Sequence, residues 1–181
     1  MRRGTVNLLA FQAGWWGCVL AVRSNAPGTA LLFTLVPVVL HLALATDRGR
    51  QAVFLVSAAS IGYAADAVAV WAGALRFASP VPPPPWVAGL WLAFATLLTV
   101  ALRSLRGHDW RAGIVGAVCG PLMYLAGSRL GIAAISPSTA SVALLALAWS
   151  AALFAQNRLA RVFDRRWASK SAETSTAEVV A

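Results

Sequence analysis

Six apolar runs separated by short polar segments restrict this chain to very few folds. A helix that crosses the ~30 Å hydrocarbon core of a bilayer needs about 20 apolar residues. The six runs, each close to that length, are Thr5–Val22, Pro27–Ala45, Gln51–Leu75, Trp86–Leu102, Gly113–Ile135 and Thr139–Asn157. Charged residues make up 12% of the chain, against about 25% in soluble domains. The sequence therefore predicts an all-α integral membrane protein, a bundle of about six transmembrane helices.

The basic residues predict the orientation of this bundle. If all six runs cross the membrane, twelve of the 15 basic residues fall on one side. Positive residues collect on the cytoplasmic side, so both termini are expected in the cytoplasm. Trp71 and Trp86 are expected at the outer interface, with Trp110 and Trp167 at the inner one. The high pI follows from this bias, and no nucleic-acid partner is expected.

Outside the apolar runs the chain offers one stiff connection and a basic tail. Arg76–Pro85 contains five prolines, which favour an extended polyproline II spacer. We expect a transmembrane domain over 1–157, a basic amphipathic juxtamembrane segment over 158–170 and a disordered tail over 171–181. Leu159, Phe163 and Trp167 would place the middle segment on the membrane surface. The basic residues expected to contact anionic lipid headgroups there are Arg158, Arg161, Arg165 and Arg166.

Charged residues inside the apolar runs are the strongest candidates for function. A charge at the centre of a membrane helix costs ~2.5–3.5 kcal/mol on insertion scales. Asp66 and Arg129 are expected at similar depth and so to pair, with Arg76 or Arg23 as alternative partners of Asp66. The pair would be either a proton or substrate site or a structural ion pair. Other polar residues could join Asp66 and Arg129 in one intramembrane site. These candidates are Tyr124, Thr96, Thr99, His41 and Gln12.

Small residues and prolines indicate how the helices pack. Gly116 and Gly120 form a small-xxx-small pair that allows two helix backbones to approach closely. Pro121 and Pro37 are expected to kink the fifth and second helices. Cys18 and Cys119 are expected as small buried hydrophobic residues. No two of the histidines and cysteines have metal-ligand spacing, so neither a metal nor a cofactor is expected.

Several segments together resemble a known bacterial family. They are Asn7–Trp15, His41, Asp66, Leu90–Thr96 and Gly120–Gly127, and they resemble small multi-pass membrane proteins catalogued as domain-of-unknown-function family 2878. In that family a polar pair that includes a histidine follows the Phe-Ala-Thr stretch. Here Thr99 and Val100 stand in that place, so the resemblance does not carry over any chemistry of that pair. The resemblance implies a multi-pass protein of the bacterial inner membrane and a link to lipid modification, but no reaction.

Three functions remain open at this point. The first is an accessory or interaction protein linked to lipid modification or envelope maintenance, with a homodimer or another membrane protein as partner. The second is a small proton-coupled transporter or permease that uses Asp66. The third is a membrane-embedded lipid-modifying enzyme with Asp66 and Tyr124 as an acid–base pair. Since no catalytic motif is present, the sequence favours a role that is not enzymatic.

Overall fold

The computed structural model describes residues 2–78 and 82–180, without the side chains of Arg2 and of residues 167–180. The described residues form six α-helices, which confirms the all-helical class. The helices are α1 (Arg2–Arg23), α2 (Pro27–Ala43), α3 (Arg48–Trp71), α4 (Pro85–Thr99), α5 (Asp109–Arg129) and α6 (Thr139–Val180). A short 3-10 helix, Arg103–Leu105, connects α4 to α5, and two short strands, β1 (Leu75–Arg76) and β2 (Ala134–Ile135), follow α3 and α5.

Three of the helices are long and apolar enough to cross a membrane. These segments are Arg3–Arg23, Arg48–Trp71 and Thr139–Arg166. Helices α2 and α4 are apolar but shorter, with 17 and 15 residues. At a rise of ~1.5 Å per residue they are about 26 and 23 Å long, shorter than the ~30 Å hydrocarbon core. Membrane localisation is therefore consistent with the fold, while six spans remain a prediction.

Helices α1, α3 and α5 end in the same way. The residue after each C-cap has a positive φ: 55° at Asn25, 71° at Gly73 and 76° at Gly131. The next backbone N–H then returns to the carbonyl five residues earlier, at 2.9–3.0 Å, which is the Schellman arrangement. Directly after the ends of α3 and α5, β1 and β2 pair antiparallel, with Leu75 opposite Ile135. This small sheet joins those two helix ends.

The packing of the helices leaves α4 in the middle of the bundle. Helix α4 packs against α1, α2 and α3, while α6 packs against α3 and α5. Helices α1 and α2 form a hairpin on one side, and α5 and α6 form another. Any side chain on the inner faces of α3, α4 and α6 is therefore close to the centre of the molecule.

Ion pairs connect several elements at the end of the bundle opposite the sheet. Asp164 of α6 binds both Arg50 at the start of α3 and Arg106 in the α4–α5 connection, and Arg161 binds Asp109 at the start of α5. Burial lowers the pKa of the Arg106 guanidinium from its usual range, and the charge of Asp164 opposes that change. The segments that the basic residues predict to be cytoplasmic are thus neighbours.

Helix α6 continues without a break through the predicted juxtamembrane segment. Leu159 and Phe163 pack into the bundle, and the ring of Phe163 lies 5.6 Å from that of Phe54. Phe163 therefore packs on α3, while the side chain of Trp167, which was expected on the membrane surface at the inner interface, lies outside the described residues. The division at 158 and 171 remains a prediction. In the proline-rich segment, residues 79–81 lie outside the described residues, while Pro84 has the expected extended backbone.

Candidate functional site

Asp66 lies on the face of α3 that packs against the rest of the bundle. The buried residues of this helix recur every three or four positions, as the 3.6-residue period requires. They are Phe54, Leu55, Ala58, Ala59, Gly62, Asp66 and Ala69. The side chain of Asp66 is only 1% exposed. A carboxylate so deeply buried needs hydrogen-bond donors around it.

Two tryptophans on different helices supply these donors. The indole Nε1–H of Trp91 (α4) donates to Oδ2 of Asp66 at 2.6 Å, and that of Trp149 (α6) donates to Oδ1 at 3.3 Å. The hydroxyl of Tyr124 (α5) lies beside the same carboxylate. The two indole hydrogen bonds of Asp66 therefore link α3 to α4 and α6. Because an indole N–H can only donate, each tryptophan requires an acceptor at this position.

Glycines allow both indole rings to reach the carboxylate. An added Cβ at Gly62, one turn before Asp66, would lie 2.1 Å from Cδ2 of Trp91. An added Cβ at Gly120 would lie 2.3 Å from Cγ of Trp149. Both distances are impossible for real atoms, so each ring lies directly on a glycine backbone. The absence of a side chain at these two glycines leaves the space in which each indole ring lies when it donates to Asp66.

A cavity of about 180 Å³ adjoins Asp66. It lies in the half of the bundle nearer the small sheet, and residues of α1, α3, α4, α5, α6 and the connections after α3 and α5 line it. Eight of the 16 lining residues are aromatic and one, Asp66, is acidic. The lining residues are Phe11, Trp15, Asp66, Phe77, Trp86, Val87, Leu90, Trp91, Phe94, Cys119, Met123, Tyr124, Gly127, Ile132, Ala133 and Trp149.

Seven of the eight aromatic residues of the cavity contact one another in a continuous series. Ring centroids lie 4.6–6.3 Å apart from each member to the next, a normal range for aromatic pairs. In order, the series is Trp86, Phe77, Tyr124, Trp149, Trp91, Phe94 and Phe11.

Trp86 is only 5% exposed, so its predicted place at the outer interface is wrong: it packs against Phe77 in the core. Trp71, 86% exposed, is free to occupy that interface.

The predicted ion pair between Asp66 and Arg129 is wrong. Asp66 accepts its hydrogen bonds from Trp91 and Trp149, and Arg129 is exposed at the last position of α5. Arg23 and Arg76, the other expected partners, are also exposed. Among the side chains that the structure describes, Asp66 forms no ion pair. An arginine close to a helix end can extend its long side chain outward. The similar depth of Asp66 and Arg129 along their helices therefore did not bring the two side chains into contact.

The other predicted polar residues lie away from the cavity. Thr96 donates to a carbonyl of its own helix and accepts a hydrogen bond from Asn7 at 3.1 Å, and Thr99 donates to the carbonyl of Thr96. His41 bonds to Gln51 at 3.1 Å. Gln12 is exposed, on the side of α1 that faces away from its neighbours. Of the predicted intramembrane set, the structure brings together only Asp66 and Tyr124.

The predicted packing glycines lie between α5 and α6. Gly116 and Gly120 are buried, and a Cβ at Gly116 would lie 2.4 Å from the carbonyl oxygen of Trp149. The backbones of the two helices therefore approach as closely as a small-xxx-small pair allows. Pro121 and Pro37 lie within α5 and α2, both of which continue through them.

Trp91 and Trp149 are the site residues that the sequence analysis missed. A tryptophan inside an apolar run carries a donor that must be satisfied in a medium without water. That signal was available in the sequence at both positions. A buried indole shows that a hydrogen-bond acceptor must lie nearby, but it does not show which residue supplies it. That depends on how each helix is rotated about its axis, which only the packing of the bundle determines.

Comparison with known proteins places the chain in one family. A family model described as a protein of unknown function (DUF2878) matches residues 4–155. The chain belongs to this family. The match confirms the resemblance seen in the sequence and includes every residue that lines the cavity. No curated protein and no solved structure is recognisably similar to the chain.

Proposed function

We propose that this protein binds a small organic molecule in the aromatic cavity beside Asp66 and moves it into or across the bacterial inner membrane. The cavity itself is the observation that supports this proposal. A packing role for Asp66 alone would need no open volume, and interiors are normally filled to the density of organic crystals. Ligand sites are typically concave, mostly apolar and supplied with a few converging polar groups.

The proposal includes a topology. All six helices would cross the membrane, with both termini and the Asp164 ion pairs in the cytoplasm and the small sheet outside. The excess of basic residues at one end supports this orientation. Arg158, Arg161, Arg165 and Arg166 would then lie near anionic headgroups. In this orientation the cavity lies in the outer half of the bilayer.

A second candidate is an accessory protein linked to lipid modification or envelope maintenance, acting alone, as a homodimer or with a membrane partner. One observation favours it. Asp66 already joins α3, α4 and α6 through its hydrogen bonds to Trp91 and Trp149, which is what a purely structural carboxylate would do. An enzyme acting on lipid through Asp66 and Tyr124 is a third possibility, since those two residues are neighbours.

A substitution that fills the cavity separates binding from structure. Ala133 lines the cavity, whereas Ala134, the next residue, is exposed in β2. Ala133→Leu should occupy part of the volume and leave the bonds of Asp66 in place, and Ala134→Leu is the matched control. A ligand that binds only the folded state raises thermal stability according to RT ln(1 + [L]/Kd).

The test measures the melting temperature of the purified full chain in detergent with three compact probes: choline, its uncharged carbon analogue and benzene. We expect at least one probe to raise the melting temperature of the parent and of Ala134→Leu, and not that of Ala133→Leu. Equal shifts in all three proteins, or no shift in any, contradict the proposal.

A further inference from the structure

We propose that the ligand of the aromatic cavity is a small organic cation with an alkylated ammonium group. This inference rests on the proposed function and specifies its substrate class. It is based on the juxtaposition of one buried carboxylate with a continuous series of aromatic rings in a cavity of about 180 Å³.

The charge distribution around Asp66 lacks a positive partner. Its described hydrogen-bond partners, Trp91 and Trp149, are neutral donors. None of the 16 residues that line the cavity is basic. A carboxylate in a low-dielectric interior is stabilised when a cation comes close to it. A cationic ligand would supply the charge that the protein itself does not place there.

The aromatic rings favour the same class of ligand. The face of an aromatic ring carries partial negative charge, and tryptophan attracts cations most strongly. Four tryptophans, Trp15, Trp86, Trp91 and Trp149, line this one cavity. Groups of aromatic rings of this kind recognise quaternary ammonium groups in other proteins. Alkyl groups on the nitrogen also fit the apolar remainder of the lining, where a hydrated metal ion would find almost no oxygen ligands.

The volume limits the size of the group that enters. An engineered cavity of about 150 Å³ admits benzene, and the present cavity is only slightly larger. It therefore fits one compact head group such as trimethylammonium, and not a drug-sized molecule, which needs ~300 Å³ or more.

The two sides of the cavity indicate how such a ligand enters. Phe11 and Trp15 of α1 line one side, while Cys119 and Met123 of α5 line the other. Helix α1 packs on α2 and α4, and α5 packs on α6. Cys119 lines the cavity and is exposed, so its expected burial is wrong. An entrance beside Cys119, on the side of the bundle, would let a cation with alkyl groups approach from the bilayer.

The test compares choline with its uncharged carbon analogue, in which carbon replaces the quaternary nitrogen. Affinities are measured by isothermal titration calorimetry on the purified full chain in detergent. We expect choline to bind at least tenfold more tightly than the analogue, and Asp66→Asn to remove that difference. If the two bind equally and Ala133→Leu blocks both, the cation inference fails while the proposed function stands. If neither binds, both fail.

A second measurement does not depend on the folding of Asp66→Asn. Replacing tryptophan by fluorinated tryptophan withdraws charge from the ring faces and retains the indole N–H donors. Each added fluorine should weaken choline binding stepwise and leave binding of the uncharged analogue unchanged. Equal effects on both probes, or none on choline, would overturn the inference.

Discussion

The close contact between Gly62 and Trp91 predicts that a larger side chain at position 62 lowers the free energy of unfolding. In Gly62→Ala the new methyl group would lie 2.1 Å from Cδ2 of Trp91, so the ring or the helix must move. Overfilling a packed interior costs ~1–3 kcal/mol. Displacing the ring also breaks the 2.6 Å bond to Asp66, and a hydrogen bond to a charged group contributes ~1.5–3 kcal/mol. Alanine regains ~0.5–1 kcal/mol in a helix, which leaves a net loss of about 2–5 kcal/mol.

The assay follows unfolding of the purified chain in a mild detergent with a thiol-reactive dye. Cys18 is fully buried and reports loss of the fold, while Cys119 is exposed and is first replaced by serine. Gly28→Ala is the matched control, because nothing lies within 4 Å of the added carbon there. We expect Gly62→Ala to lower the unfolding midpoint clearly and Gly28→Ala to leave it near the parent. If both variants unfold like the parent, Trp91 does not lie on Gly62 as described.

Three further predictions follow from other contacts. A small maleimide should alkylate Cys119 in the folded protein much faster than Cys18. The rates are measured by mass spectrometry of the digested protein, and similar rates would show that Cys119 is not more exposed than Cys18. Asp164→Ala removes the shared partner of Arg50 and Arg106. Because these groups are partly exposed, we expect the free energy of unfolding to fall by less than ~1 kcal/mol per pair. A larger loss in a denaturant titration would refute this. Topology reporters inserted at Gly107 and Pro137 should give opposite orientations, with Gly107 cytoplasmic, and equal orientations would disprove the proposed arrangement.

The sequence predicted which segments form helices more accurately than it predicted their first and last residues. The starts of α2 at Pro27 and of α6 at Thr139 agree with the predicted runs, because proline and a polar residue mark them clearly. Helix α3 ends at Trp71 and not at Leu75, since Gly73 takes a positive φ. Apolar residues continue past that glycine, so hydrophobicity alone did not reveal the turn.

The candidate site was predictable in its centre and not in its surroundings. Asp66 stood out because a carboxylate in an apolar run is rare and costly. Its pairing with Arg129 was inferred from depth alone. Depth follows from counting residues along a helix, but contact also requires the two side chains to face each other. That rotation depends on tertiary packing, here on Gly62 and Gly120 beneath two indole rings.

If the proposed function is correct, the biological role of this protein depends on the open cavity beside Asp66. The most direct measurement is complementation of a deletion strain by Ala133→Leu and by Ala134→Leu, with the membrane level of each protein determined in parallel. We predict that both variants accumulate normally and that only Ala134→Leu restores the parental phenotype. Full complementation by Ala133→Leu at a normal protein level would contradict the proposed function and favour the accessory role.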